Sequence, residues 1–169
     1  MIRLILGTAC LGAASGMKCP GSPSWIHASA EVVATARATC ETVREEMLAR
    51  VQSPSWTDPH NAGTYEALPS TENELEFSRL TGDKKYTDKM TISLAPVGQK
   101  CMITGCSESQ VFSIADFSTN YCNLRNLYCG SADGCKPVKH DFEVIETKVT
   151  PSLGAGSDAK SCISSLVKL

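Results

Sequence analysis

Three histidines, His27, His60 and His140, and three aspartates, Asp58, Asp88 and Asp116, are where catalysis in this chain would have to rest. A serine or cysteine nucleophile needs a base within hydrogen-bond reach and donors for the oxyanion that develops. His60 as base, with Asp58 or Asp116 orienting it, is one of many arrangements the sequence allows. Gly105-Cys106-Ser107-Glu108-Ser109 does not place glycines both two before and two after its serine, as a nucleophile elbow requires. Two acids drawn from Asp58, Asp88 and Asp116 could serve glycoside cleavage if they faced each other across a cleft. There is no Gly-rich loop followed by Lys-Ser or Lys-Thr, so a phosphate cradle of that type is not encoded.

Cys129, Cys135 and His140 are close in sequence, and thiolates with imidazole bind zinc. Their spacing matches no paired Cys-x-x-Cys motif, and in an exported chain such cysteines become disulfides. No metal and no cofactor are therefore expected.

The remaining chemistry is binding. The stretch 55–65, SWTDPHNAGTY, joins turn formers to aromatic and polar groups. Loops held by a rigid scaffold are where ligands are met, so Trp56, Asp58, His60, Asn61 and Tyr65 are the candidate ligand contacts. The plainer reading is an interlocked connection in which Trp56 plugs the core and Asp58 caps a turn. A sheet wrapped on a helix also offers a concave face, which Tyr65, Phe77, Tyr86, Met90, Phe112 and Phe117 could line.

The elements that would position these groups follow from periodicity and punctuation. Residues 1–16 have a positive start at Arg3, an apolar run and small residues near Ser15 and Gly16, the anatomy of a secretory signal. The apolar run is much shorter than the roughly 20 residues that span a bilayer. The chain has nine cysteines. Cleavage of the signal would remove Cys10 and leave Cys19, Cys40, Cys101, Cys106, Cys122, Cys129, Cys135 and Cys162, an even set suited to disulfides in an oxidising compartment. Their pairing stays open among roughly a hundred possibilities. With 16 basic and 18 acidic side chains there is no clustered cationic surface for nucleic acid.

Residues 17–28 read as an irregular lead-in, 29–162 as one domain, and 163–169 as a tail. Val33, Ala36, Cys40, Val43, Met47 and Val51 recur at spacings of three and four and predict a long helix over 29–52, bolted through Cys40 to the sheet or to a terminal segment. Residues 74–80 and 86–94 alternate as half-buried strands, with Asp88 the misfit on the apolar side. Residues 101–106, 111–117, 122–129 and 142–149 are expected to be strands as well. The last does not keep its apolar residues to one face, which suggests burial on both sides or a bulge. The expected fold is α+β, a long N-terminal helix on a curved antiparallel sheet of about five or six strands, stapled by disulfides.

A helix followed by antiparallel strands resembles the cystatin-like and nuclear-transport-factor-like folds. Ala115-Asp116-Phe117 with Tyr121 resembles the mid-chain motif of lipocalins. The Gly-x-Trp opening of lipocalins and the Gln-x-Val-x-Gly loop of cystatins are missing, so no family is assigned. The function expected is that of a secreted, non-catalytic binding protein whose partner is a small molecule or an extracellular protein. The alternatives are a small secreted hydrolase using the 55–65 loop, or a component of an extracellular coat.

Overall fold

A computed structural model describes residues 18–164; the expected signal over 1–16 and residues 165–169 of the tail lie outside it. Six antiparallel strands form one sheet. They are β1 (Ser29–Ala36), β2 (Thr64–Ala67), β3 (Glu74–Leu80), β4 (Thr87–Val97), β5 (Lys100–Ser109) and β6 (Val144–Pro151). Their order across the sheet is β2-β3-β4-β5-β1-β6. Two short helices, α1 (Cys40–Gln52) and α2 (Thr119–Tyr128), pack on it.

The long N-terminal helix is not formed. Residues 29–36 are strand β1, and the helix begins only at Cys40, where the Thr39 side chain accepts from the Thr42 N–H. Ala30, Val32, Ala34 and Ala36 are buried while Ser29, Glu31, Val33 and Thr35 are half-buried, a strict period of two. Small and β-branched side chains fit a strand between two others, and β1 pairs β5 on one side and β6 on the other. The resemblance to helix-first folds lapses with that helix.

Two further strands are replaced. Residues 111–117 form a loop that turns Ser113 and Asp116 inward and leaves Val111, Phe112, Ile114 and Phe117 exposed. Residues 122–129 lie in or just after α2, whose Tyr121, Cys122, Leu124, Leu127 and Tyr128 are all buried. Strand β3 spans 74–80 as its alternation predicts. In β6 the register shifts between Val33 and Ala34, so Thr147 bulges out and donates to the Val33 carbonyl.

Opposite residues on β3, β4 and β5 set the inner face. Leu75 faces Ile92, Ile92 faces Gly105, and Leu94 faces Ile103, all buried. One end of the face is therefore apolar. At the other end the row is Arg79, Asp88 and Ser109, also buried.

The eight cysteines named above form four disulfides: Cys19–Cys106, Cys40–Cys101, Cys122–Cys162 and Cys129–Cys135. The first ties the lead-in to β5, the second ties the start of α1 to β5, and the third ties α2 to the C-terminal segment. Among the described residues no helix is long and apolar enough to cross a membrane.

Candidate functional site

The polar end of the sheet organises the site. Helix α2 lays Asn120, Asn123 and Asn126 over it, three residues apart on one face and all buried. Each amide nitrogen takes a different carboxylate. Asn120 Nδ2 donates to Asp116 at 3.0 Å, Asn123 Nδ2 to Asp88 at 2.9 Å and Asn126 Nδ2 to Asp58 at 2.9 Å. The three aspartates singled out in the sequence are thus gathered along one helix.

A single guanidinium serves two of them. Arg79 Nη2 donates to Asp58 and to the side-chain oxygen of Asn61, while its Nη1 lies 3.8 Å from Asp88 Oδ2. Burial works to raise the Asp58 carboxyl, but the charge and hydrogen bond of Arg79 outweigh it and hold that group below the usual carboxylate range. Asp88 comes out the other way. Burial pushes it up, and hydrogen bonds from Ser109 and Asn123 do not offset that effect. Asp116 accepts four N–H bonds, from the backbone of Ser118, Asn120 and Gly156 and from the Asn120 side chain.

A cavity of about 600 Å³ opens beside this row. Asp88, Ser109, Ser113, Asp116 and Thr119 line it, with Tyr86 and Phe117 among the lining residues that also reach solvent. Ala62 and Phe117 in its wall have φ of 56° and 51°. Lys84 and Ser118, with φ of 61° and 68°, adjoin wall residues. These are the positive-φ non-glycine residues of the described chain, and strained backbone of this kind gathers at ligand clamps. The approach of the Asn61 carbonyl leaves no room for a side chain at Gly82, where a Cβ would sit 2.2 Å from that oxygen.

The 55–65 loop is chiefly an interlock. Asp58 accepts from the His60 and Gly63 backbone as well as from Arg79 and Asn126. His60 is buried. Its Nδ1 lies 2.8 Å from the Ser161 carbonyl, which only accepts, so Nδ1 carries a proton. Its Nε2 lies 3.2 Å from the Thr119 hydroxyl. Tyr65 donates to the Asn123 carbonyl and lies under the Arg79 guanidinium, with Trp56 packed edge-on at 5.6 Å. Asn61 reaches the wall of the 600 Å³ cavity. Trp56, Asp58 and Asn61 also line a second cavity of about 750 Å³ with Arg50, Asn126 and Lys136.

The other candidates are separated. Cys129 and Cys135 are joined to each other, so no thiolate pair faces His140. His140 instead meets Glu45 at 2.7 Å near the surface. Cys19, Cys106 and Glu108 converge closely enough to suit a metal ion, but the two sulfurs are bonded together. His27 is held by the Ser24 carbonyl and Glu108.

Sequence reasoning missed Arg79, Ser109, Thr119 and the three asparagines of α2. The signals were present. Arg79 continues the inward phase of Leu75 and Phe77, and Asn-x-x-Asn-x-x-Asn is a helical spacing.

Comparison of the chain with protein-family models, with curated proteins and with solved structures finds no match.

Proposed function

We propose that this is a secreted, disulfide-stabilised binding protein that takes a small ligand in the 600 Å³ cavity and performs no chemical step on it. The observation that carries the reading is the cavity itself. Its size suits a small organic molecule, and a few polar groups converge on it from the strands and from α2. Secretion is supported by four disulfides, which persist in oxidising compartments, and by the signal-like composition of residues 1–16.

The contact between His60 and Thr119 favours a second reading, a hydrolase with Thr119 as nucleophile. Two features weigh against it. His60 is oriented by a carbonyl instead of a carboxylate. The backbone N–H groups of Ser118, Asn120 and Gly156, which could have stabilised an oxyanion near Thr119, are already bonded to Asp116.

The test is a ligand-observed NMR screen of the purified native protein against a fragment library, repeated on Ala115→Trp. Ala115 lines the cavity and is exposed, so a larger side chain there fills space without disturbing the core. Binding that Ala115→Trp removes, without loss of thermal stability, supports the reading. Turnover on a hydrolase panel that His60→Ala abolishes overturns it in favour of the second.

A further inference from the structure

We propose that the ligand of the 600 Å³ cavity is an organic cation, a protonated amine directed at Asp88 with an apolar body against Tyr86 and Phe117. This rests on the reading of that cavity as a binding site.

Among the described residues the lining of the cavity carries Asp83, Asp88 and Asp116 and no lysine, arginine or histidine. The charged groups that line it are therefore all acidic, with Arg79 and Lys85 behind them as partial counter-charges, and low-dielectric walls strengthen what remains uncancelled. Much of an acidic cluster's charge is usually cancelled by its own partners, so each carboxylate must be accounted for. Asp116 is saturated by four N–H donors. Asp83 is exposed and binds Thr81, the Lys85 backbone N–H and, at 3.5 Å, the Lys85 ammonium.

Asp88 is different. It is 1 % exposed, and the Arg79 guanidinium, which donates through Nη2 to Asp58 and Asn61, holds its Nη1 3.8 Å from Asp88 Oδ2, beyond hydrogen-bond reach. Its two oxygens each accept one hydrogen bond, from Ser109 and from Asn123. A carboxylate oxygen offers two lone pairs, so each retains one. A buried anion with spare acceptors and a shared counter-charge gains most from a cation that brings its own N–H donors. The aromatic rings of Tyr86 and Phe117, which are 42 % and 82 % exposed, can take the apolar body.

The neighbouring cavity makes the contrast. It shares Asn61 and Ala62 with the first but is lined by Arg50 and Lys136, and its one carboxylate, Asp58, is already paired with Arg79. An amine therefore has a reason to choose one side of the 55–65 loop over the other.

The experiment is isothermal titration calorimetry of the native protein with amines graded in body size from butylamine through 2-phenylethylamine to tryptamine. Each is run beside its N-acetyl derivative and the carboxylate of matching shape. The expected result is that at least one amine binds, about tenfold or more tightly than its neutral and anionic counterparts. Asp88→Asn removes that preference while the apolar bodies still bind. Because the preference is read on the wild-type protein, a poorly folded Asp88→Asn does not spoil the test. Phe117→Ala, at an exposed position, should weaken all members of a matched set alike. Equal or tighter binding of the neutral or anionic members overturns the cation assignment and leaves the cavity reading standing. Failure of every member to bind overturns both.

Discussion

Asp58 and Arg79 form an ion pair in which neither side chain reaches solvent. Arg79 also lies 3.8 Å from Asp88 and over the ring of Tyr65, and its Nε and Nη1 have no hydrogen-bond partner among the described residues. A buried pair contributes little net stability against an apolar substitute, but removing one partner leaves an uncompensated charge. Arg79→Met strands two carboxylates and should cost about 3–5 kcal/mol. Asp58→Asn keeps an acceptor for Arg79 and should cost less. Urea unfolding of the two variants checks the order. Gly63→Ala should also destabilise, since its Cβ would lie 2.5 Å from the Arg79 guanidinium.

Acid should unfold the protein through Glu46 and Asp58. Burial works to raise the Glu46 carboxyl, but the backbone N–H groups of His140, Val138 and Lys139 and the Arg50 side chain outweigh it and hold it below 4.5. Asp58 lies below 3.8. A carboxylate depressed by folding contributes stability above its unfolded value and loses it as pH falls through its folded value. Asp88 has the opposite sign. Its folded value is raised, so its ionisation costs stability at neutral pH, and the cost is relieved as pH falls toward 3.8. Glu46→Gln should flatten the fall in urea midpoint between neutral and acidic pH, and Asp88→Asn should steepen it. Profiles parallel to wild type would count against these assignments.

The disulfides should differ in weight. Cys40–Cys101 closes a separation of 61 residues, Cys129–Cys135 one of 6. On a chain-entropy basis removing the first pair costs about 4 kcal/mol and the second about 2 kcal/mol. Unfolding of the paired alanine variants measures the difference. Equal losses would mean that the short loop does more than constrain the unfolded chain.

Asn123→Ala should cost about 1–3 kcal/mol, because Asp88 and Ser107, both buried, each lose a donor. Thermal melts of single and double variants with Asp88→Asn test the coupling. The double variant should lose less than the sum of the singles.

Some of this could be read from the residues alone. The alternation of β3 and β4 is strong enough to set their inward faces, and it marked Asp88 as the polar intruder that turned out to border the cavity. The cysteines of the four disulfides were likewise evident. Strand β1 was not, because Ala and Val at 30, 32, 33, 34 and 36 satisfy a period of two and a helical stripe equally well. The choice is made by partners far along the chain, β5 and β6, between which β1 is held. Helix α2 hid for a related reason. Tyr, Cys and Leu are at home in strands, and the case for a helix rests on asparagines that find aspartates on three separate segments. The apolar residues of 111–117 suggested a strand, yet Asp116 bonded to the start of α2 turns most of them outward.

The asparagine ladder has a mechanical consequence. Every turn of α2 holds a different acid, from the loop before β2, from β4 and from the segment before the helix itself. Sliding or screwing the helix by a single residue would unmatch all three at once, so the element has one setting and no near neighbours in energy. The helix therefore fixes the part of the hollow's wall that it supplies, Thr119, while loop residues supply most of the rest, and any molecule entering there would find little freedom to take from α2.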